Sequence, residues 1–287
     1  PPAKVDYVIV AGDSLESSAR RFADYRSSRG HKVALAMVHE LVDSSADEAT
    51  QVEVVRQYVR GHFNGMDPAR PLYLLLVGDA QDVPPAEHQE PNGGPRITTD
   101  NSYADMDGDH IPDIAAGRIP ASSDSDVDIV REKIAAHESR YEPGPWNRRL
   151  NIFAGTAGFG AMVDGLIEEV FLQTVEEVPY DFDVTLTYAK QDSPYVYVPE
   201  KFSDKVYERM NEGSIMMTYV GHGGPDGFAD LDWNDHYYPI LDTDRLDKVS
   251  ALHRAPILSF VACSTGAFHL GDSISEKILR AEDAPAA

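Results

Sequence analysis

Short apolar runs alternate with longer amphipathic segments along the first 77 residues, and this alternation constrains the fold more than any other feature. The runs at 7–11, 32–37 and 72–77 have the length and the β-branched content of buried strands. The segments between them, 15–29 and 49–63, carry apolar residues at helical spacing. A β-α-β-α-β order predicts a parallel sheet with right-handed crossover connections. The predicted fold class is therefore α/β.

The remainder of the chain repeats this order after a loop-rich stretch. Residues 79–120 contain Pro-Pro and Pro-Asn-Gly-Gly-Pro breakers. The sequence Glu142-Pro-Gly-Pro is the best candidate for a boundary, which predicts two subdomains, 1–145 and 146–287. The predicted strands after the loop-rich stretch are 114–119, 150–154 and 184–188, and the predicted helices are 125–141, 162–175, 200–211 and 273–280.

Two further apolar runs end at reactive side chains that are followed by small residues. One run delivers His222 and the other delivers Cys263, the only cysteine of the chain. The carboxyl ends of strands in an α/β sheet open onto the ligand crevice, so adjacent strands would bring the imidazole and the thiol to one edge. A cysteine nucleophile requires such a base. The alternatives are a buried small hydrophobe for Cys263 and a loop residue at a glycine turn for His222.

The motifs around these residues resemble a known family. Tyr219-Val-Gly-His-Gly-Gly and Val261-Ala-Cys-Ser-Thr-Gly-Ala-Phe are similar to the gingipain family of cysteine peptidases, which is peptidase family C25 of the caspase-like clan. Segments 73–84, 109–119 and 273–280 match in the same order. The resemblance implies a three-layer α/β/α fold with mostly parallel sheets, a protein or peptide substrate, and a secreted or cell-surface location.

The resemblance also implies roles for individual residues. Cys263 would attack the scissile carbonyl to form a thioester, with His222 as the acid–base group. The backbone N–H groups of Cys263 and Gly223 are the natural candidates for the oxyanion site. The best-known family members carry a glutamate that assists the histidine, whereas this chain has Ala157 there. A dyad is therefore the prediction, and a third catalytic group stays open.

Substrate preference depends on one residue, Asp164. In Arg-specific members of the family, an aspartate at the matching position lies at the base of the S1 pocket. A carboxylate there would bind the guanidinium of an arginine, or a lysine, at P1. The alternative is an acidic residue in the first turn of a helix, which is favourable because of the helix dipole alone.

A second cluster, Asp105-Met-Asp-Gly-Asp-His-Ile-Pro-Asp, resembles calcium loops of the D-x-D-G-D type. Alternate carboxylates of Asp105, Asp107 and Asp109, followed by Asp113, can surround one Ca²⁺ ion. Residue 116 is alanine, so the loop lacks the bidentate glutamate of an EF-hand. An acidic turn before a strand is the alternative. No organic cofactor is expected.

Composition narrows the possible partners. The net charge is −23, from 48 acidic against 25 basic residues, which argues against nucleic-acid binding and would attract cationic substrates.

A single cysteine excludes an internal disulfide, and no apolar stretch approaches the roughly 20 residues of a membrane span. The chain begins with proline, so we expect a mature or trimmed polypeptide.

The end of the chain suggests a partner. In the resembled family another core strand follows the helix that comes after the cysteine, and here the sequence stops at residue 287. An unfilled sheet edge is normally avoided, so we expect a second polypeptide, produced by processing near residue 287, to complete the fold. Simple shortening of the chain is the rival explanation. Two other function classes stay open: a calcium-bound adhesion or structural module without activity, and a transpeptidase that uses the same dyad.

Overall fold

The structure is a computed structural model that describes residues 4–43, 45–89, 93–94, 96–139, 143–155, 175–190, 193 and 196–282. Its contacts divide the chain into two compact units, Pro1–Arg131 and Glu132–Ala287. The division falls within a helix, and the subdomain boundary at residue 145 stays a prediction. Within the described ranges, no helix combines the length and the apolar character needed to cross a lipid bilayer.

The first unit follows the predicted alternation closely. Its strands are β1 Tyr7–Ala11, β2 Val33–Met37, β3 Tyr73–Val77, β4 Ala86–Gln89, β5 Arg96–Thr99 and β6 Ala115–Ile119. Its helices are α1 Glu16–Ser28, α2 Val38–Leu41, α3 Glu48–Gly65 and α4 Asp124–Glu138, the last of which continues into the second unit. The β4–β5 hairpin and the short helix α2 were not predicted from the sequence.

A four-stranded parallel sheet forms the centre of the first unit, with the strand order β2-β1-β3-β6. Side chains alternate between the two faces of each strand. Val8 and Val10 of β1 lie in one buried cluster with Val55 and Val59 of α3, so α3 covers one face. Helix α1 contacts β1 and β2, and its Phe22 is fully buried. The predicted parallel sheet is confirmed.

The second unit contains another parallel sheet and a series of small hairpins. Its strands are β7 Arg149–Ala154, β8 Asp183–Tyr188, β9 Met216–Val220, β10 Gly223–Gly224, β11 Gly227–Phe228, β12 Leu231–Trp233, β13 His236–Tyr238 and β14 Ile257–Val261. Its further helices are α5 Phe202–Glu212 and α6 Ile274–Arg280. The helix predicted at 162–175 lies almost entirely outside the described residues.

The sheet of the second unit has the strand order β14-β9-β7-β8, and every pairing in it is parallel. Phe202 and Met210 of α5 and Ile274 of α6 belong to one buried cluster with Met217 and Tyr219 of β9. Both helices therefore cover the same face of the sheet. The α/β fold class is confirmed in both units.

Candidate active site

His222 and Cys263 occupy equivalent positions beyond two paired strands. Strands β9 and β14 are parallel neighbours, and Val220 is paired with Val261 at their carboxyl ends. His222 and Cys263 each follow two residues later. The N–H of Gly221 donates to the carbonyl of Val261 at 3.2 Å, which extends the ladder beyond both strands. Because neighbouring strands lie about 4.8 Å apart, the two reactive residues leave the sheet side by side.

The two loops that carry these residues touch at Gly223. A Cβ atom placed on Gly223 would lie 3.1 Å from the carbonyl oxygen of Cys263 and 2.7 Å from Cγ2 of Thr265. A side chain of any size would therefore push the loops apart. Close contact with the second loop is thus one physical reason for glycine at position 223.

Cys263 is a free thiol on an exposed residue. The alternative interpretation, in which Cys263 is a buried small hydrophobe, is therefore wrong. The next residue, Ser264, has a φ of +54°, which is uncommon for a residue with a side chain. A turn follows immediately, in which the N–H of Ala267 donates to the carbonyl of Ser264 at 3.2 Å. Backbone in such conformations is concentrated at functional sites.

The backbone of His222 is held by two hydrogen bonds to its carbonyl oxygen. The phenol of Tyr219 donates to it at 2.8 Å, and the N–H of Ala229 donates at 3.0 Å. Tyr219 is fully buried between aromatic neighbours, with its ring centroid 5.1 Å from that of Phe153 and 3.7 Å from that of Phe228. Burial raises the pKa of Tyr219 far above the ordinary range, so its hydroxyl remains protonated and acts as a donor.

The N–H of Gly223 lies outside the hydrogen-bond ladder of the hairpin after His222. Gly223 is paired with Phe228 in the β10–β11 hairpin, and the bond from the Ala229 N–H to the His222 carbonyl flanks this pair. That pattern marks Gly223 and Phe228 as a non-hydrogen-bonded pair of the antiparallel ladder. The N–H of Gly223 is therefore directed away from strand β11.

Helix α6 ties the two loops together through its first turn. The N–H of Ile274 donates to the carbonyl of Pro225 in the His222 hairpin at 2.9 Å, and the N–H of Ser275 donates to the carbonyl of Thr265 at 3.2 Å. Ser273 caps the helix in a capping box with Glu276. The free N–H groups that begin every helix are thus used here to fix the His222 loop relative to the Cys263 loop.

Two further positions singled out in the sequence concern the S1 pocket and a third catalytic group. Asp164 and Ala157 both lie outside the described residues. The structure therefore gives no position for the proposed S1 carboxylate or for a third catalytic group.

The acidic loop brings three of its four predicted ligands together. Asp105, Asp107 and Asp109 can each place one carboxylate oxygen within 4.8 Å of the others. Asp113 is not in this group, and its carboxylate accepts the N–H of Met106 at 2.7 Å. Burial of Asp105 acts to raise its pKa, but the N–H groups of Gly108 and His110 outweigh this effect and hold the pKa below its ordinary value. The loop therefore presents a buried, ionised carboxylate beside two exposed ones.

The aromatic residues between the dyad strands lie on a hairpin that was not predicted. Trp233 is paired with His236 across the β12–β13 turn, and Tyr237 is 69% exposed. The turn residues Asn234 and Asp235 both have positive φ angles. Asn-Asp between two short alternating runs is the turn signal that could have located this hairpin in the sequence.

Comparison with known proteins agrees with this arrangement. An α/β fold with a thiol and an imidazole at neighbouring strand ends places the chain in the caspase-like class of folds that the motifs suggested. The model of peptidase family C25 matches residues 1–287, and the chain belongs to this family of cysteine peptidases. The resemblance to gingipains is thereby confirmed.

Individual relatives are distant and mostly longer. Lys-gingipain W83 of Porphyromonas gingivalis is 21% identical over 250 residues, which cover 86% of this chain and 13% of that protein. An uncharacterised protein of Archaeoglobus fulgidus is 29% identical over 206 residues, or 68% of this chain and 48% of that protein. The crystal structure of gingipain R, an Arg-specific cysteine proteinase, superimposes with a TM-score of 0.70 at 17% identity and covers 99% of this chain and 61% of that one. The chain thus spans less than half the length of the two sequence relatives.

Proposed function

We propose that this chain is a cysteine endopeptidase in which Cys263 is the nucleophile and His222 is the acid–base group. The observation that carries the proposal is the pairing of β9 with β14, which brings both residues to one sheet edge at the same register. The contact of Gly223 with the Cys263 loop supports it, because it joins the two loops directly. An exposed thiol also favours a peptidase over an inactive structural module.

The reaction follows from the roles of these two groups. His222 accepts the thiol proton, and the Sγ of Cys263 forms a bond to the scissile carbonyl carbon. The tetrahedral intermediate collapses with cleavage of the C–N bond, and His222 returns the proton to the departing amine. Water then attacks the thioester with His222 as the base. This step releases a carboxylic acid and restores the thiol.

The oxyanion of each tetrahedral intermediate requires donors that are already in place. We propose the N–H groups of Gly223 and Cys263 for this role. The direction of the Gly223 N–H away from strand β11 supports the proposal, because the hairpin ladder does not use this donor. The hydrogen bonds to the carbonyl of His222 support it further, since they hold the preceding peptide in one orientation.

We further propose that the substrate carries arginine, or lysine, at P1 and that Asp164 binds it. The support is the match of Asp164 to the family's specificity residue and the net charge of −23, which favours cationic peptides. The matched test compares fluorogenic peptides that differ only at P1. Asp164→Asn should lower kcat/KM for the arginine peptide by roughly 10²-fold and leave an alanine peptide unaffected. Equal losses for both peptides would remove the assignment.

We propose in addition that Ca²⁺ binds at Asp105, Asp107 and Asp109, with Asp113 supporting the loop. The clustering of three carboxylates around Gly108, whose φ of +88° permits the tight turn, is the support. Carboxylate oxygens are the ligands that this ion prefers, and its role would be to stabilise the loop.

The position of β14 at a sheet edge supports the proposal that a partner strand adds to the sheet. Among the described residues, β14 is paired only with β9 and so lies at the sheet edge. Ile257 and Val261 at its two ends are 46% and 59% exposed. We propose that a further strand, supplied by a second polypeptide derived from the same precursor, adds to this edge, and that the mature protein is secreted or attached to the cell surface.

Covalent labelling tests the proposed dyad most directly. The probe is a peptidyl acyloxymethyl ketone with arginine at P1, applied with Ca²⁺ present, and the labelled peptide is identified by mass spectrometry. We expect labelling at Cys263 in the parent protein and none in Cys263→Ala. His222→Ala should slow labelling by at least about 100-fold. His236→Ala is the matched control, because His236 is an exposed histidine of the same unit.

Two results would contradict the proposed dyad. One is equal labelling rates in His222→Ala and His236→Ala, which would show that His222 does not activate the thiol. The other is the absence of labelling by arginine, lysine and neutral P1 probes in a protein that unfolds cooperatively. Labelling by the neutral probe alone would remove the basic P1 preference and leave the dyad in place.

A further inference from the structure

Two histidines that are 22 residues apart in the sequence meet in the first unit. The ring centroids of His88 and His110 lie 5.0 Å apart, with an angle of 58° between the ring planes. His88 lies on strand β4, whereas His110 belongs to the acidic loop after Asp109. Nothing in the proposed peptidase chemistry uses either residue. The sequence spacing gave no indication of the pair.

The separation of the rings suits a shared metal ion. Zinc–nitrogen bonds are about 2.0–2.1 Å long, so two imidazoles on one tetrahedral ion have centroids about 5 Å apart. The observed value matches this distance. A tilted arrangement is also suitable, because each ring must direct a nitrogen, rather than its face, towards the ion.

Local structure holds the backbone of both histidines in place. His88 is paired with Ile97 in the antiparallel β4–β5 hairpin, so its position is set by the hairpin register. His110 has a φ of +71°, a conformation that residues with side chains seldom adopt. Its N–H donates to the carboxylate of Asp105 at 3.2 Å, which stabilises this conformation. Strained residues that their surroundings hold in place occur preferentially at binding sites.

The surroundings of the pair are polar and negatively charged. His88 and His110 line a cavity of about 190 Å³ together with Asp105, Ile97, Thr99, Asn101 and Ser102. Asp105 is only 5% exposed. A buried negative charge beside two imidazoles lowers the energy of a bound cation. The cavity also has room for water molecules to complete a coordination sphere.

The chemistry of the donors separates this site from the calcium loop. Calcium prefers oxygen ligands, as the cluster of Asp105, Asp107 and Asp109 offers them. Imidazole nitrogen suits zinc and other late first-row divalent ions. The acidic loop would thus contribute to two neighbouring sites with different selectivity. The histidine site also uses His88 of strand β4 and does not depend on the occupation of the calcium site.

We propose that His88 and His110 together bind one Zn²⁺ ion, with water in the remaining positions. The ion would connect strand β4 to the acidic loop and so restrict the chain between them, which stabilises the folded state. Because this site has only two protein ligands, its affinity for Zn²⁺ should be lower than that of closed four-ligand zinc sites. The proposal concerns the first unit only and is independent of the peptidase activity.

Calorimetric titration with ZnCl₂ tests the site in the 287-residue chain. The background variant is Cys263→Ala/His222→Ala, which removes the proposed catalytic thiol and imidazole as a competing zinc site, and the buffer contains excess Ca²⁺. We expect one equivalent of Zn²⁺ to bind and to raise the Tm. His88→Ala and His110→Ala should each weaken binding by at least tenfold and abolish the Tm increase. His253→Ala, which alters an exposed histidine, should change neither.

Two results would overturn the proposal. The first is unchanged zinc affinity in both His88→Ala and His110→Ala. The second is zinc binding that excess Ca²⁺ displaces and that Asp107→Asn abolishes, because the ion would then occupy the acidic loop. Thermal unfolding of each variant without zinc distinguishes a lost ligand from a misfolded protein. His88→Asn provides a second, more conservative substitution if His88→Ala does not fold.

Discussion

The phenol of Tyr219 donates a hydrogen bond of 2.8 Å to the backbone carbonyl of His222. Tyr219 lies three residues earlier, on the strand that delivers His222, and its ring is fixed by Phe153 and Phe228. This contact joins the aromatic core of the second unit to the proposed acid–base group. In the proposed mechanism Tyr219 is therefore a positioning residue, since it acts through His222.

Tyr219→Phe should lower kcat and leave KM nearly unchanged. Loss of one hydrogen bond worth about 1 kcal/mol predicts a decrease in kcat of roughly 3- to 10-fold. Steady-state kinetics with one fluorogenic peptide measures both constants. Tyr237→Phe is the control, because Tyr237 is exposed on the β12–β13 hairpin. A rise in KM with an unchanged kcat would contradict the positioning role.

Gly223→Ala should impair both the proposed site and the fold around it. The added methyl group would lie 2.7 Å from Thr265 and 3.1 Å from the carbonyl of Cys263, so the loops must separate. We expect kcat/KM to fall by about 10²-fold and the free energy of unfolding to fall by about 1–3 kcal/mol. Gly224→Ala is the matched control, because no heavy atom lies within 4 Å of a Cβ placed there. Similar activity of the two variants would refute the close contact of the loops.

Neutralising one carboxylate of the acidic loop should remove a calcium effect on stability. If Ca²⁺ binds, 100 times its Kd should increase the free energy of unfolding by about 2.7 kcal/mol. Asp107→Asn should abolish most of the corresponding rise in Tm. Asp24→Asn changes the net charge equally but alters an exposed residue of α1, so it should retain the full response. A calcium response that is identical in both variants would exclude the loop as the site.

The partly buried pair of Arg118 and Asp100 should contribute more to stability than an exposed pair. Arg118 is bidentate to Asp100, with both N···O distances at 2.7 Å, and it also donates to the carbonyls of Gly78 and Val83. Arg118→Met leaves a partly buried carboxylate without its ion-pair partner and removes a donor from the carbonyls of Gly78 and Val83. We expect a loss of about 1–3 kcal/mol in the free energy of unfolding, measured in urea.

Glu87→Gln provides the comparison for this pair. The ion pair of Glu87 with Arg96 is solvent-exposed on both sides, so its loss should cost about 0–1 kcal/mol. Comparable losses in Arg118→Met and Glu87→Gln would contradict the structural role given to Arg118.

The contact of His39 with Asp13 should make the stability of the folded protein depend on pH. A hydrogen bond from the imidazole to Asp13 at 2.7 Å raises the pKa of His39 above 6.5. A raised pKa in the folded state stabilises the protein below the ordinary pKa of histidine. This contribution is lost as the pH rises through the folded-state pKa. NMR titration of the ring protons should give a lower pKa in Asp13→Asn, whereas equal values in both proteins would refute the interaction.

The periodicity of the sequence predicted the regular elements well, because that signal is local. The strands ending at Ala11, Met37 and Val77 end at the predicted residues, and helix α3 differs from its predicted range by one to two residues at either end. Among the missed hairpin strands, β10–β13 have only two or three residues each. Such segments are too short to show a period, and their hydrogen bonds depend on neighbours supplied by the rest of the fold.

The candidate site could be predicted from the sequence for a different reason. His222 and Cys263 each follow an apolar run that was recognisable as a strand, and the motifs around them matched a family. By contrast, Tyr219 reads as an ordinary core residue, and only the turn of the chain at Gly221 brings its hydroxyl to the carbonyl of His222. No pattern of residue types encodes that contact.

The sequence by itself determined the α/β class, the order of most helices and strands, and the two reactive residues at strand ends. These features depend on interactions over a few residues and on motifs that are contiguous in the chain. Only the tertiary structure decided that β9 and β14 are neighbours in register, that Gly223 meets the Cys263 loop, and that His88 meets His110. Each of these contacts joins segments that are far apart in the sequence, and their separation is set by how all the intervening elements pack.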